Sequence, residues 1–97
     1  MTVKFDYDEA KNESNYEKHG IDFATAERVF EDPFHESIQD RVVGDEERWQ
    51  TVGMVNGVVL LLVSHTWQER DEETIHVRII SARKATAHER KRYENRA

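Results

Sequence analysis

Cationic side chains gather near the end of the sequence, where a strand pattern passes into a helix pattern. Arg78, Arg83 and Lys84 lie within or directly after the alternating segment 75–80. The capping box of residues 86–89 follows, and it predicts that a helix starts there with free backbone N–H groups. Fixed positive charge and a helix N-terminus both attract anions. This segment is therefore predicted to bind phosphate groups.

The basic segment stands out because the rest of the chain is acidic. The 97 residues carry a net charge of -6. Residues 75–97 hold seven Lys and Arg against two acidic residues, whereas residues 1–40 hold four against eleven. Such asymmetry indicates a local basic surface on an acidic body. The alternative is that Arg90, Lys91 and Arg92 are only the solvated face of a last helix.

Composition predicts one domain, residues 1–97, in an intracellular setting. The chain has no cysteine, which excludes disulfides and thiolate metal sites. Apolar runs stay shorter than the ~18 residues that a membrane span needs. The first residues lack the basic and then apolar layout of a signal peptide. A cytoplasmic protein without a membrane partner is predicted.

Two helices are predicted behind a short N-terminal strand at residues 3–7. The first, residues 9–19, starts after Asp8 and carries acidic residues in its first turn and basic residues in its last. The second is capped by Asp22, has apolar residues at helical spacing, and ends where Pro33 forbids continuation. The helices are expected to cover one face of the sheet and to leave the other face and its edge available.

A buried central strand is the clearest feature of the second half. Residues 58–63 form a continuous β-branched and Leu run, which is typical of a strand buried on both faces. Asn56 and Gly57 precede it and are typical of a type I′ turn, which predicts a hairpin with residues 48–55. The central position in the sheet follows from this burial.

The remaining segments are less regular. Residues 34–40 alternate weakly and predict a short strand, the polar residues 41–47 predict a loop, and residues 68–73 predict a polar turn. The chain is thus predicted to be an α+β protein, with an antiparallel β-sheet, two N-terminal helices packed on one face, and a C-terminal basic helix.

Alternation in the last strand predicts which side chains remain accessible. Ile75, Val77 and Ile79 are predicted to meet the helices, whereas His76 and Arg78 lie on the free face. Arg78 is therefore predicted to reach solvent from the sheet itself.

An ordered set of short motifs runs along nearly the whole chain. Its most specific part is the block from Arg78 to Lys84, and the longer polar turn at residues 68–73 departs from the pattern. The set comprises Phe5-Asp6, Lys11, Asn15, Lys18-His19-Gly20, Phe23, Ala26, Val29-Phe30, Asp32-Pro33, Glu47-Arg48, Gly53, residues 79–85, Glu89-Arg90 and Tyr93. Together these residues resemble the BrnT family of ribonuclease toxins from bacterial type II toxin–antitoxin operons.

The resemblance implies a RelE-like fold and a small cytoplasmic toxin that cleaves RNA. It also implies inhibition by a BrnA-like antitoxin, which binds operator DNA in a heterotetramer of two toxins and two antitoxins. No cofactor is implied. The residue pattern agrees on one point, since a basic sheet edge suits a polyanion.

RNA cleavage without a metal needs cations that stabilise charge growing on the phosphate. Arg78, Arg83 and Lys84 are predicted to do this, with Arg48 as a fourth cation from a neighbouring strand. Arg suits the task because its planar fork holds two phosphate oxygens at once. The predicted further RNA contacts are Lys18, Arg90, Lys91 and Arg92.

The proton-transfer group is open among several residues. The resemblance makes His19 a candidate through the Lys18-His19-Gly20 match, since histidine is a common general acid or base, although His19 equally suits a helix C-cap. Glu47, Glu89 and Tyr93 are alternative bases or orienting groups, and either carboxylate is equally an ion-pair partner for Arg48. No spacing of His and acidic residues resembles a metal site, so no metal is predicted.

A non-catalytic binding module is the alternative function. The same basic edge, residues 75–97, would then capture nucleic acid or an acidic partner segment without cutting it.

Overall fold

A six-stranded sheet, three α-helices and one 3₁₀ helix make up residues 2–95, the part of the chain that the computed structural model describes. In chain order the elements are β1 (Thr2–Asp6), α1 (Glu9–His19), α2 (Phe23–Ala26), the 3₁₀ helix (Glu27–Glu31), β2 (Glu36–Val43), β3 (Glu46–Val55), β4 (Val59–Thr66), β5 (Gln68–Glu69), β6 (Thr74–Lys84) and α3 (Ala87–Glu94). The strand order is β1-β6-β4-β3-β2, and β5 pairs with β6.

The sheet is mixed, because β1 runs parallel to β6 while the other pairs are antiparallel. The predicted wholly antiparallel sheet is therefore wrong at this edge. The helices carry the chain from β1 across the sheet to the far edge, where β2 begins. No hairpin links β1 to its neighbour β6, so nothing local makes the two strands antiparallel.

One face of the sheet holds the larger core. Phe23, Ala26 and Val29 from the helical segment are fully buried against strands β4 and β6. Ile75, Val77 and Ile79 belong to the same core, which confirms the side predicted for them. The 3₁₀ helix replaces the last turns of the predicted second helix. We call the opposite side of the sheet the open face.

The last helix, α3, lies on the open face and covers one end of it. Tyr93 and Ala85 pack there against Val52, Leu60 and Leu62. The expectation that all helices leave this face free is wrong at that end, because Leu60 and Leu62 present apolar surface that needs a cover.

Strands β2 and β3 are longer than predicted. The loop expected over residues 41–47 shrinks to a turn at Gly44 and Asp45, because β2 extends to Val43 and β3 starts at Glu46. The predicted hairpin turn at residues 56–57 is confirmed, with φ of 55° and 68° at its two residues. Among residues 2–95, no helix is long and apolar enough to cross a membrane.

Candidate phosphate-binding site

A β-bulge in β6 decides which cations share a face of the sheet. The register of β6 against β4 slips by one residue at Ile80. Because side chains alternate along a strand, the slip exchanges the two faces beyond it. Arg83 therefore faces the same side as Arg78, the open face, while Lys84 faces the side of the N-terminal helices.

One carboxylate joins Arg48 and Arg78 at the uncovered end of the open face. The Nε of Arg48 donates to Oε1 of Glu46 at 3.0 Å, and Nη2 of Arg78 donates to Oε2 of the same carboxylate. Thr66 lies between the two arginines, since it pairs with Arg48 and its hydroxyl accepts the backbone N–H of Arg78 at 3.0 Å. We call these residues, Arg48, Arg78 and Glu46, the Arg48–Arg78 cluster. Its two guanidinium groups converge where a phosphate could bind.

Two further cations border this cluster. Lys11, in the first turn of α1, lines a pocket of about 240 Å³ together with Arg48 and Arg78. Arg41 lies opposite Arg48 on β2 and lines a second pocket of about 150 Å³. Within residues 2–95, neither Lys11 nor Arg41 takes part in an ion pair. Both cations therefore remain able to bind an anion.

Arg83 lies on the same face but further along, beside α3. The β4 residue that lies opposite Arg83 is four residues away from the β4 residue beside Arg78, which corresponds to about 13 Å along β4. Arg83 donates to both carboxylate oxygens of Glu89, at 2.9 and 3.0 Å. This hydrogen bonding lowers the pKa of Glu89 to about 2 and raises the pKa of Arg83. Glu89 also accepts the backbone N–H of Thr86, so the pair anchors α3 to the sheet.

The structure separates His19 from the Arg48–Arg78 cluster. Helix α1 runs beside β6, with Lys11 near the cluster and Asn15 hydrogen-bonded to the backbone of Ala82. His19 lies eight residues beyond Lys11, roughly 12 Å along the helix axis. His19 and Lys18 are exposed in the last turn of the helix.

Two other candidate proton-transfer residues also lie apart from the cluster. Glu47 faces the opposite side of β3 from Glu46 and accepts a hydrogen bond from the Trp49 indole at 3.3 Å. The Tyr93 hydroxyl donates to Asp32 at 2.5 Å. Burial tends to raise the pKa of Asp32, but hydrogen bonds from Tyr93 and other donors outweigh it and lower the pKa. Tyr93 thus fastens α3 to the end of the 3₁₀ helix.

The basic side chains of α3 form ion pairs on the surface. Arg92 lies 3.3 Å from Glu36 on β2, and Arg90 lies 3.8 Å from Glu94 within the helix. Lys91 is exposed. Arg96, which belongs to the same charge run, lies outside the described residues.

His65 supports the site from within the core. It is fully buried, its Nδ1 donates to the Thr66 carbonyl at 2.8 Å, and its Nε2 accepts from the Thr51 hydroxyl at 2.6 Å. Burial lowers the pKa of His65, which keeps the imidazole neutral. Because the Thr66 hydroxyl also accepts a hydrogen bond from the backbone N–H of Arg78, this network positions the middle of the cluster.

Glu46 was not among the predicted site residues. It lay in the stretch interpreted as a loop, whereas it is the first residue of β3. The spacing of Glu46 and Arg48, two residues apart, is the signal that places both on one face of a strand. In the described part of the chain, no three His or acidic side chains are grouped in a way that could hold a metal ion.

Comparison with known proteins adds an independent line of evidence. The family model for the ribonuclease toxin BrnT of type II toxin–antitoxin systems matches residues 7–89, which include the cluster and the Arg83–Glu89 pair. The crystal structure of the Brucella abortus ribonuclease toxin BrnT matches with a TM-score of 0.61 and 26% identity, over 88% of this chain and 99% of that one. No curated protein matches. The α+β architecture with its mixed sheet is shared with that structure.

Proposed function

Because the chain belongs to the BrnT family of ribonuclease toxins of type II toxin–antitoxin systems, we propose that it is an endoribonuclease that cleaves RNA without a metal ion. The observation that carries this proposal is the Arg48–Arg78 cluster on the uncovered part of the open face. Two guanidinium groups gathered around one carboxylate combine a binding site for a phosphate with a proton acceptor.

In the proposed reaction, the scissile phosphate binds between Arg48 and Arg78 in place of the Glu46 carboxylate. Glu46, displaced but adjacent, takes the proton of the ribose 2′-OH, and the 2′ oxygen attacks phosphorus. The bond to the 5′ oxygen breaks, which leaves a 2′,3′-cyclic phosphate. Both arginines stabilise the negative charge that grows on the non-bridging oxygens.

Lys11 is the group that we assign to the leaving 5′ oxygen. Lys11 lines the same pocket as Asp8 and both arginines and, among residues 2–95, forms no ion pair, so its ammonium is available to donate a proton there. A substrate with sulfur at the 5′ bridging position tests this role, since a thiolate leaves without protonation. Lys11→Ala should cut ordinary RNA slowly but cut the sulfur substrate almost as fast as the wild type does.

The family implies an antitoxin partner. We propose that this partner is BrnA-like, that two toxins and two antitoxins form the complex, and that the antitoxin carries the operator-binding activity. We also propose that the 97 residues form one toxin domain and that its fold is RelE-like. Mass measurement of the co-expressed complex would test the stoichiometry.

The test of the proposed activity is incubation of the purified, antitoxin-free protein with unstructured RNA in EDTA. Arg48→Ala and Arg78→Ala should each lower the cleavage rate by about 100-fold or more, the usual effect of removing a transition-state donor. Arg28→Ala, on the helix side of the sheet, is the matched control. Cleavage that EDTA abolishes and a divalent ion restores would refute metal independence. Binding without any cleavage would support the non-catalytic module instead.

A further inference from the structure

A second pocket beside the cluster lies between two β-bulges. In β2 the register slips at Asp40, so Asp40 and Arg41 both oppose Arg48. The bulge of β6 lies at Ile80, on the other side of the β3–β4 pair. Both bulges line the same pocket of about 150 Å³, and Arg48 lines this pocket as well as the phosphate pocket. Bulges next to functional sites commonly re-aim side chains.

The size and lining of this pocket suit one planar polar ring system. An engineered cavity of roughly 150 Å³ in another protein holds a single benzene ring. Here the lining residues include Asp40, Arg41, Ser64 and Ser81. Asp40 and Arg41 are exposed, and neither forms an ion pair within the described residues. Their hydrogen-bonding groups are therefore open to a ligand.

We propose that this pocket binds the nucleobase on the 5′ side of the scissile phosphate and prefers guanine. The inference rests on the proposed phosphate site, because Arg48 connects the two pockets. A carboxylate accepts two parallel N–H groups, and guanine offers them side by side at N1 and N2. Arg41, adjacent to Asp40, has the donors that match guanine O6 and N7.

The other bases fit this pair of side chains less well. Adenine and cytosine each present one exocyclic amino group to a carboxylate. Uracil presents one N–H between two carbonyl oxygens, and these oxygens repel the carboxylate. Single-stranded RNA is commonly read in this way, through base edges exposed to side chains. Asp40 is therefore assigned as a specificity-determining residue that takes no part in the bond-breaking step.

Nucleotide binding tests the inference without relying on cleavage. Isothermal titration calorimetry of the unmodified protein measures the affinities, because it needs no reporter side chain in the pocket. The protein should bind 3′-GMP about tenfold more tightly than 3′-IMP, which lacks the 2-amino group. Asp40→Asn should bring the two affinities within about twofold. Asp45→Asn, in the turn between β2 and β3, is the matched control and should keep the preference.

Three other results would overturn the inference. These are equal affinities for 3′-GMP and 3′-IMP, a guanine preference that survives Asp40→Asn, and no nucleotide binding at all. Thermal unfolding of each variant excludes misfolding as the cause. The two proposals can fail separately. If 3′-GMP binds as expected and binds less tightly to Arg48→Ala, but RNA stays intact, only the proposed ribonuclease activity is refuted.

Discussion

The guanidinium of Arg78 reaches across strand β4 to bind the carboxylate of Glu46 on β3. Strands are about 4.8 Å apart, so this contact spans roughly 10 Å of the open face. Arg48 binds the other oxygen of the same carboxylate at 3.0 Å. Glu46 thus holds two cations in place when no phosphate is bound.

We predict that Glu46→Gln lowers the RNA cleavage rate by about 100-fold or more while RNA affinity is kept or increases. The amide cannot accept the 2′-OH proton, and it competes less well than a carboxylate for the two arginines. Single-turnover cleavage and filter binding would measure the two effects. Glu47→Gln is the control, because Glu47 faces the other side of β3. Equal losses of rate in both variants would contradict the assignment of Glu46.

We predict that Glu89→Gln lowers the free energy of unfolding at pH 7 by about 1 to 2 kcal/mol. The expected loss of stability is modest because the Arg83 side chain is 38% exposed, so solvent screens the ion pair. The folded-state pKa of Glu89 is lowered from 4.5 to about 2. The stabilisation is therefore fully present above pH 4.5 and is lost as the pH falls towards 2.

Urea unfolding at pH 7 and pH 3 would measure this effect of Glu89. The difference between Glu89→Gln and the wild type should be smaller at pH 3. Glu94→Gln is the control, since its pair with Arg90 is an exposed contact at 3.8 Å. A loss in the control as large as that in Glu89→Gln would argue against a special role for the Arg83–Glu89 pair.

We predict that stability falls below pH 6.5 because of His65. Burial lowers the pKa of this imidazole from 6.5, so the unfolded chain binds a proton more readily than the folded one. The stabilisation is present above pH 6.5 and is lost as the pH decreases, with a slope of no more than about 1.4 kcal/mol per pH unit. His65→Asn should show a shallower slope between pH 6.5 and 5.5, and the exposed His88→Asn should not. If the slope of stability against pH is unchanged in His65→Asn, this explanation is wrong.

We predict that Gly53→Ala destabilises the protein by about 1 to 3 kcal/mol, the usual cost of overpacking. A Cβ at this position would lie 2.7 Å from the Val29 carbonyl oxygen and 2.8 Å from the Val29 Cβ. The 3₁₀ helix must then move away from β3. Thermal unfolding would show the loss, with Gln50→Ala on the other face of the same strand as the control. A variant as stable as the wild type would mean that the helix shifts freely.

Local interactions explain why several elements could be predicted from the sequence. Asp8, Asp22 and Thr86 cap their helices through hydrogen bonds to backbone N–H groups three residues ahead. The turn at residues 56–57 and the buried strand β4 likewise depend on neighbouring residue types. The family resemblance is confirmed by the match over residues 7–89.

The composition of the candidate site depended on contacts between distant segments. Strict alternation places Arg78 and Lys84 on one face, whereas the bulge at Ile80 puts Arg83 there instead. Glu46, the partner of both site arginines, lies on the open face because β2 and β3 pair as far as the turn between them. Which of the predicted residues act in catalysis stays a prediction.

The sequence by itself determined the capped helices, the central strand, the hairpin and the family, because each follows from residues close together in the chain or from their order. Only the tertiary structure decided the parallel pairing of β1 with β6, the two bulges, and the gathering of Arg48, Arg78 and Glu46. Strand register and bulges depend on pairing between segments that are far apart in sequence. A change of one residue in that register exchanges the faces of a strand, and with them the side chains that meet.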